Sequence, residues 1–214
     1  MKLYTYFRSS AAYRVRIALN LKGLDYQAIP VHLTRTGGEH QQEDYLAINP
    51  AALVPALVEG GRVMTQSMAI IEYLDETHPE PALLPGTPAD RARIRSIAQT
   101  IACDIHPLNN LRVLQYLVRE VSVSDEQKSA WYRHWVELGL AAVEAMLALD
   151  ARTGAFCHGD TPTLADCCLV PQVFNARRFN CRMDALPVIS RIAERCEDLE
   201  AFRLAAPANQ PDAE

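Results

Sequence analysis

The sequence predicts a small mixed α/β domain followed by an all-helical domain. Residues 1 to about 78 alternate between short runs of β-forming residues and segments with helical periodicity. Residues 90–204 carry helical patterns almost throughout. Between these two parts, residues 79–89 contain four prolines and a glycine, a composition that cannot continue a helix. We therefore expect domains at 1–78 and 90–214, joined by a linker at 79–89.

The first domain is expected to hold a mixed sheet of about four strands in the order βαβ-α-ββα. A helical pattern that ends near Gly23 separates the first two strands, so they should pair in parallel. Gly60 and Gly61 are typical of a hairpin turn, which makes the last two strands antiparallel. The predicted strands are residues 2–7, 26–31, 53–58 and 62–64, with a polar loop at 34–42, a turn at Asn49-Pro50 and a closing helix that opens at Gln66-Ser67.

The second domain is expected to consist of four helical segments. Pro107 lies inside the first pattern and predicts a kink there. The sequence Thr163-x-x-Asp166 is close to a capping box and predicts the start of the third helix. The predicted helices cover residues 90–120, 125–150, a stretch that begins at Thr163, and 187–203, and residues 205–214 are expected to be a tail.

Composition excludes several function classes. The formal net charge is −5, which argues against a general nucleic-acid or membrane-surface partner. No apolar run approaches the ~20 residues needed to span a bilayer. The six cysteines lack the spacing of zinc ligands and are typical of reduced thiols in a cytoplasmic protein. The six histidines form no metal-binding pair, so we expect no metal.

The candidate site lies where the first strand meets the first helix. Arg8, Ser9 and Ser10 form a polar turn at the helix start, where unpaired N–H groups and the helix dipole favour an anion or a thiolate. No cysteine precedes Cys103, so any sulfur handled at this turn must arrive on a ligand. An alternative is that Ser9 or Ser10 is only an N-cap.

Five motifs in order resemble one known family. They are Ser9-Ser10-x-x-x-Arg14-Val-Arg-Ile-Ala-Leu19, Asn49-Pro50 with Leu53-Val54-Pro55-Ala56-Leu57, Gln66-Ser67-x-Ala69-Ile70-Ile71-Glu72-Tyr73-Leu74, Gly159-Asp160-Thr-Pro-Thr-Leu-Ala-Asp166, and Leu169-Val-Pro-Gln-Val173 with Asn175-Ala-Arg-Arg-Phe179. From residue 3 to residue 211 the chain resembles the zeta class of glutathione transferases. Ala11 departs from that pattern, because the family commonly has cysteine there.

The resemblance implies a glutathione transferase fold and an isomerase activity. It implies a thioredoxin-like domain for glutathione at 1–78, an all-helical substrate domain at 90–214, and a homodimer. The implied reaction is glutathione-dependent cis–trans isomerisation of maleylacetoacetate, or alternatively of maleylpyruvate, by reversible addition of the glutathione thiolate. Glutathione would be a cofactor, and the substrate would be a small dicarboxylate.

The resemblance also implies roles for individual residues. Ser9, Ser10 and Arg8 would be catalytic, with Ser9 donating to the sulfur. A cis peptide before Pro55 would turn the backbone of Val54 toward the cysteinyl part of glutathione. The implied glutathione contacts are Ser9, Ser10, Ala11, Ala12, Tyr13, Arg14, His40, Val54, Gln66, Ser67, His106, Asn110, Leu111 and Arg112, and the implied substrate contacts are Arg8, Arg112 and Arg178.

Two other functions remain open at this stage. One is a transferase that conjugates or dehalogenates an electrophile and consumes glutathione. The other is a transferase-like binding module without catalysis, for which retention on immobilised glutathione is a quick test. Such a module would be expected to lose the serine turn or the Gln66-Ser67 pair. Both of these motifs are present.

Overall fold

The computed structural model describes all 214 residues and divides into two compact units. Unit 1 comprises Met1–Leu83 together with Glu197–Glu214, and unit 2 comprises Leu84–Cys196. The predicted second domain, 90–214, therefore differs from unit 2 at its C-terminal end, because residues 197–214 pack with the first unit. Asn20 and Arg16 explain this packing, since their side chains donate hydrogen bonds to the carbonyls of Ala201 and Ala205.

The sheet lies in unit 1 and has the strand order β2-β1-β3-β4. Its strands are Lys2–Thr5, Gln27–Pro30, Ala56–Glu59 and Arg62–Thr65, numbered β1 to β4. Strands β1 and β2 are parallel, and β3 and β4 are antiparallel, as predicted. Strand β3 also pairs with β1, in the antiparallel direction. The first strand is shorter than predicted because the carbonyl of Tyr6 turns to accept a hydrogen bond from the N–H of Ser9.

The chain contains ten α-helices, of which the first three and the last lie in unit 1 with the sheet. In chain order α1 to α10 are Ser10–Leu21, Glu43–Leu46, Ser67–Thr77, Pro88–Gln99, His106–Leu108, Leu111–Arg119, Asp125–Ala148, Leu164–Arg178, Pro187–Glu197 and Glu200–Ala205. Short 3₁₀ turns occur at Arg35–Gly37, Glu39–Gln41 and Pro207–Asn209. No helix is both long enough and apolar enough to cross a membrane.

The predicted helix at 90–120 is not continuous. After α4 the backbone passes through a π-helical stretch, Thr100–Ile105, and α6 starts anew at Leu111. Pro107 lies just after the π-helical stretch, so its missing N–H falls where the helix changes its hydrogen-bond spacing. The indole of Trp131 donates to the carbonyl of Leu108 at 2.8 Å, which holds the end of α5 on α7.

Two further expectations for the C-terminal part are corrected. The predicted helix at 187–203 is two helices, α9 and α10, separated by Asp198 and Leu199. The predicted tail at 205–214 is packed rather than loose, because Pro207 and Gln210 are buried and Gln210 donates to the carbonyls of Leu204 and Ala206. The capping box at the start of α8 is present, with Thr163 and Asp166 paired as predicted.

Candidate functional site

Ser9 is the N-cap of α1 and closes the turn that follows β1. Its φ and ψ of −70° and 114° are those of an extended residue, and its Oγ accepts a hydrogen bond from the N–H of Ala12 at 3.2 Å. That bond uses the oxygen of the hydroxyl and leaves its proton to donate elsewhere. Ser9 is half-buried, whereas Ser10 is buried within α1. The hydroxyl of Ser9 is therefore the more accessible of the two predicted donors.

The residues after Ser9 offer less to a ligand than the motif implies. The N–H groups of Ala12 and Tyr13 both donate to Ser9, to its Oγ and its carbonyl respectively. Ala12 and Tyr13 are also buried, and Ala11 is half-buried. Arg8 is exposed, and its guanidinium carbon lies 4.7 Å from the centre of the Phe7 ring. This stacking directs the cation along the surface of the turn.

The peptide between Val54 and Pro55 is cis, as the resemblance implies. The preceding carbonyl, that of Leu53, accepts hydrogen bonds from the phenol of Tyr45 and the side-chain amide of Asn49, both at 2.6 Å. Burial raises the pKa of Tyr45 to about 12, so its phenol keeps the proton that it donates. Among the backbone hydrogen bonds of the chain, none uses the N–H or carbonyl of Val54. Its backbone thus has the free donor and acceptor that an added extended ligand requires.

Gln66 and Ser67 begin α3 in an unusual backbone conformation. Gln66 has a φ of 69°, in the left-handed region that residues with a side chain rarely occupy, and no side chain caps the helix. The hydroxyl of Ser67 accepts a hydrogen bond from Nη1 of Arg14 at 3.3 Å, although the two residues are 53 positions apart. Arg14 is only 2% exposed, so a buried positive charge lies at the start of α3. The structure thus brings together residues from two separately predicted motifs, in a place suited to a carboxylate.

His40 lies in the 3₁₀ turn Glu39–Gln41, within the predicted polar loop. Burial lowers the pKa of His40, so its imidazole is neutral at pH 7. Its Nδ1 is buried and has no hydrogen-bond partner in the chain. Gly38, with a φ of 103°, packs so closely that a Cβ there would lie 2.4 Å from Cε1 of the ring. The glycine is therefore what permits this position of His40.

Four predicted glutathione contacts lie in unit 2, around the break between α5 and α6. His106 begins α5, and Leu111 begins α6. Asn110 caps α6, because its Oδ1 accepts a hydrogen bond from the N–H of Arg112 at 3.1 Å. The guanidinium of Arg112 is exposed. These residues thus occupy one irregular stretch rather than the middle of the single helix that was expected.

Arg178 is at the C-terminal end of α8, next to Arg177, and both are exposed. The guanidinium carbon of Arg178 lies 5.1 Å from the centre of the Phe179 ring, and that ring stacks on Tyr132 at 3.7 Å. Arg178 makes no ion pair within the chain, and neither do Arg8 and Arg112. All three predicted substrate arginines therefore keep their charge free for an anionic partner.

Comparisons with known proteins agree with this geometry. Residues 3–82 match the family model for the N-terminal domain of glutathione S-transferases. A maleylacetoacetate isomerase from Pseudomonas aeruginosa is 54% identical, over 99% of this chain and 98% of that protein. A solved maleylpyruvate isomerase, described as a bacterial zeta-class glutathione S-transferase, superposes with a TM-score of 0.97 at 48% identity, over the whole of both chains. The chain belongs to the zeta class of glutathione transferases.

Other zeta-class relatives carry both isomerase names. A maleylpyruvate isomerase from Ralstonia is 49% identical, over 99% of each chain. A maleylacetoacetate isomerase from Methylobacterium extorquens, solved with bound malonate and glutathione, has a TM-score of 0.96 at 41% identity over the whole of both chains. Glutathione and a small dicarboxylate are therefore ligands of a solved zeta-class protein of the same fold.

Sequence reasoning did not identify three residues that support the site. Tyr45 is an isolated tyrosine in a polar stretch, and nothing local in the sequence indicates its bond to Leu53. Asp212 lies in the segment that was predicted to be a tail, yet it accepts a hydrogen bond from the N–H of Phe7. Arg16 could have been identified from the sequence, because a charged residue in the apolar run Val15 to Leu19 needs buried partners.

Proposed function

We propose that this protein is a glutathione-dependent cis–trans isomerase that converts maleylacetoacetate to fumarylacetoacetate. The observation that carries the proposal is the hydroxyl of Ser9, half-buried at the start of α1 with its proton available to a ligand. A donor at that position, together with the helix dipole, favours a bound thiolate over a thiol. The protein has no cysteine of its own in this turn, so the thiolate is that of glutathione.

Glutathione has a carboxylate at each end and a thiol in the middle, and unit 1 offers a partner for each part. We assign the backbone of Val54 to the cysteinyl peptide and the start of α3, with Gln66, Ser67 and the charge of Arg14, to the γ-glutamyl carboxylate. His40 is assigned to the glycyl end, where its neutral imidazole can donate a hydrogen bond to the carboxylate. The unit-2 residues His106, Asn110, Leu111 and Arg112 are kept as further contacts on the resemblance alone.

The proposed reaction adds and then removes the thiolate. The sulfur attacks one carbon of the cis double bond, and the electron pair of that bond moves onto the conjugated carbonyl oxygen to give an enolate. The former double bond is now single and rotates. The enolate then reforms the double bond in the trans geometry and expels the thiolate, so glutathione is regenerated and no redox partner is needed. Positive charge near the enolate oxygen lowers the barrier to both steps.

We assign Arg8, Arg112 and Arg178 to the carboxylates and the enolate of the substrate. Each has an exposed guanidinium without an ion pair in the chain. The planar fork of a guanidinium suits two-point pairing with a carboxylate. Three such residues favour a small dicarboxylate over an apolar electrophile, which argues against a purely conjugating transferase.

Maleylpyruvate is the second candidate substrate. The Ralstonia maleylpyruvate isomerase is about as similar to this chain as the maleylacetoacetate isomerases are, so the relatives favour neither substrate. The two compounds share the cis-enone and differ in the length of the keto-acid arm. We also propose that the protein is cytoplasmic, because its six free cysteines, five of them buried, are typical of a reducing compartment. We propose a homodimer from the resemblance to the family.

The direct test follows the ultraviolet absorbance of both substrates. Each is generated enzymatically and mixed with the purified protein, with and without glutathione. Conversion of either substrate that requires glutathione supports the isomerase, and the ratio of the two values of kcat/KM assigns the substrate. If neither is converted although the protein binds glutathione, conjugation or a binding role becomes the better account.

A further inference from the structure

We propose that Asp212 and Arg16, neither of which belongs to the predicted site, are positioning residues that fix the turn carrying Ser9. The inference rests on the proposed role of Ser9 as the donor to the glutathione sulfur. The C-terminal residues then act on the reaction indirectly, because they hold the turn that binds the thiolate. All the contacts concerned lie within unit 1.

Arg16, which lies in α1, donates hydrogen bonds to the turn. Its Nη1 donates to the carbonyl of Tyr6 at 3.3 Å and to Oγ1 of Thr5 at 2.9 Å, and its Nη2 donates to the carbonyl of Phe7 at 3.0 Å. The carbonyl of Tyr6 is the one that accepts from the N–H of Ser9, at 2.9 Å. A single guanidinium therefore fixes the carbonyls of two consecutive residues, Tyr6 and Phe7, shortly before Ser9.

The same guanidinium reaches the C-terminal part of the chain. Its Nε donates to the carbonyl of Ala205, the last residue of α10, at 3.0 Å. Arg16 is fully buried, and burial lowers its pKa to about 10, so it is still charged at neutral pH. Asp212 is one of the groups whose charge opposes this lowering. The guanidinium itself is held by neutral acceptors, three backbone carbonyls and the hydroxyl of Thr5.

Asp212 holds the turn from its other side. Its Oδ2 accepts a hydrogen bond from the N–H of Phe7 at 3.0 Å, across 205 positions of sequence. Its Oδ1 is buried without a hydrogen-bond partner, so the bond to Phe7 is the one that a substitution removes. Phe7 is therefore held at both its N–H and its carbonyl, two residues before Ser9.

The consequence concerns the direction of the Ser9 hydroxyl. A thiolate is stabilised only when the donor points at the sulfur, and an extra degree of freedom in the turn weakens that bond. Releasing Phe7 should therefore raise the pKa of the bound glutathione thiol and lower kcat, while the other glutathione contacts keep KM for glutathione close to its original value.

The test compares Asp212→Ala with Asp212→Asn and with Asn20→Ala as a matched control. Asn20 also ties the C-terminal segment to α1, by a hydrogen bond to the carbonyl of Ala201 at 2.9 Å, but it does not touch the turn. The pKa of bound glutathione is measured by titrating the thiolate absorbance of the protein–glutathione complex. Asp212→Ala should raise that pKa by about half a unit and lower kcat about threefold, the effect of losing one hydrogen bond.

The other two variants decide between positioning and general stability. Asp212→Asn keeps an oxygen that can accept from Phe7 and should restore most of the effect, whereas Asn20→Ala should lower the melting temperature without moving the thiol pKa. An unchanged thiol pKa in Asp212→Ala, or an equal shift in Asn20→Ala, overturns the inference. If the wild-type protein ionises glutathione but isomerises neither substrate, the proposed function is refuted, and the thiol titration of the variants still tests the positioning role of Asp212. If the wild-type protein does not ionise glutathione, both the proposed function and the positioning role are refuted.

Discussion

At the scale of single residues, the hydroxyl of Ser9 can serve as a cap and as a donor at the same time. Its oxygen caps α1 through the N–H of Ala12, and its proton is the one that we propose binds the sulfur of glutathione. We predict that Ser9→Ala lowers kcat by more than about tenfold, because the glutathione thiolate loses a hydrogen-bond donor. The loss of the cap should cost about 1 kcal/mol of stability, visible as a lower melting temperature.

Ser10→Ala is the companion variant for that prediction. Ser10 is buried in the first turn of α1, so its substitution should affect turnover much less than that of Ser9. Steady-state rates of both variants with the isomerase substrate decide the matter. A wild-type rate in Ser9→Ala would transfer the donor role to Ser10 or to the backbone of the helix.

Arg178 and Arg177 allow a similar comparison for the substrate. They are adjacent and both are exposed, but only Arg178 is assigned to a carboxylate. We predict that Arg178→Ala raises KM for the dicarboxylate about tenfold, the cost of one charge-assisted pair, with KM for glutathione unchanged. Arg177→Ala is the control and should change neither constant. Equal rises in both KM values for Arg178→Ala would show that it is not a substrate contact.

At the scale of loops and helices, substitutions at two neighbouring glycines distinguish the effect of backbone strain from the effect of displacing His40. Gly37 and Gly38 both have a positive φ, but only at Gly38 would a Cβ collide with the imidazole. We predict that Gly38→Ala raises KM for glutathione several-fold, because it displaces His40, and that Gly37→Ala does not. Both substitutions carry a conformational cost of about 1 kcal/mol, and at Gly38 the Cβ would in addition lie 2.9 Å from the carbonyl oxygen of Leu33. Binding of glutathione by calorimetry measures the difference, and equal affinities would remove His40 from the site.

The loop before β3 gives a second prediction at this scale. The phenol of Tyr45 is one of two donors that hold the carbonyl of Leu53, next to the backbone of Val54. We predict that Tyr45→Phe weakens glutathione binding by about fivefold, since the carbonyl is then held by Asn49 alone and Val54 can move. Tyr73→Phe is the control, because the phenol of Tyr73 bonds to Glu59 and not to this loop. Equal losses of affinity in the two variants would contradict the role of Tyr45.

Local patterns predict the elements of this fold well and their ends less well. Hydrophobic periodicity and the Gly60-Gly61 turn are sufficient for the four strands and for the antiparallel direction of the last two, because both are short-range properties. The break after α4 is different. The π-helical stretch and the new cap at Asn110 interrupt a helical pattern that looks continuous, and the indole of Trp131, more than 20 residues away, fixes them.

At the scale of the whole molecule, the beginning and the end of the chain form one unit. Asp212 contacts Phe7, and Glu214 pairs with Arg35 and lies 3.4 Å from His32. These contacts join residues about 180 to 205 positions apart, and such pairs leave no periodic trace in a sequence. This is why the motifs around Ser9, Val54 and Gln66 could be predicted, whereas the support of the turn by the C-terminal residues could not.

The central claim about the whole molecule is that glutathione is a catalyst and is not consumed. Proteins of this fold that conjugate an electrophile use one glutathione for each product, whereas reversible addition returns the thiolate after every turnover. The decisive measurement is therefore the amount of trans product formed when glutathione is present at about one hundredth of the substrate concentration, with free thiol assayed at the end. We expect complete conversion with all of the thiol recovered. Product that stops at one equivalent of glutathione, with the thiol lost, would contradict the isomerase.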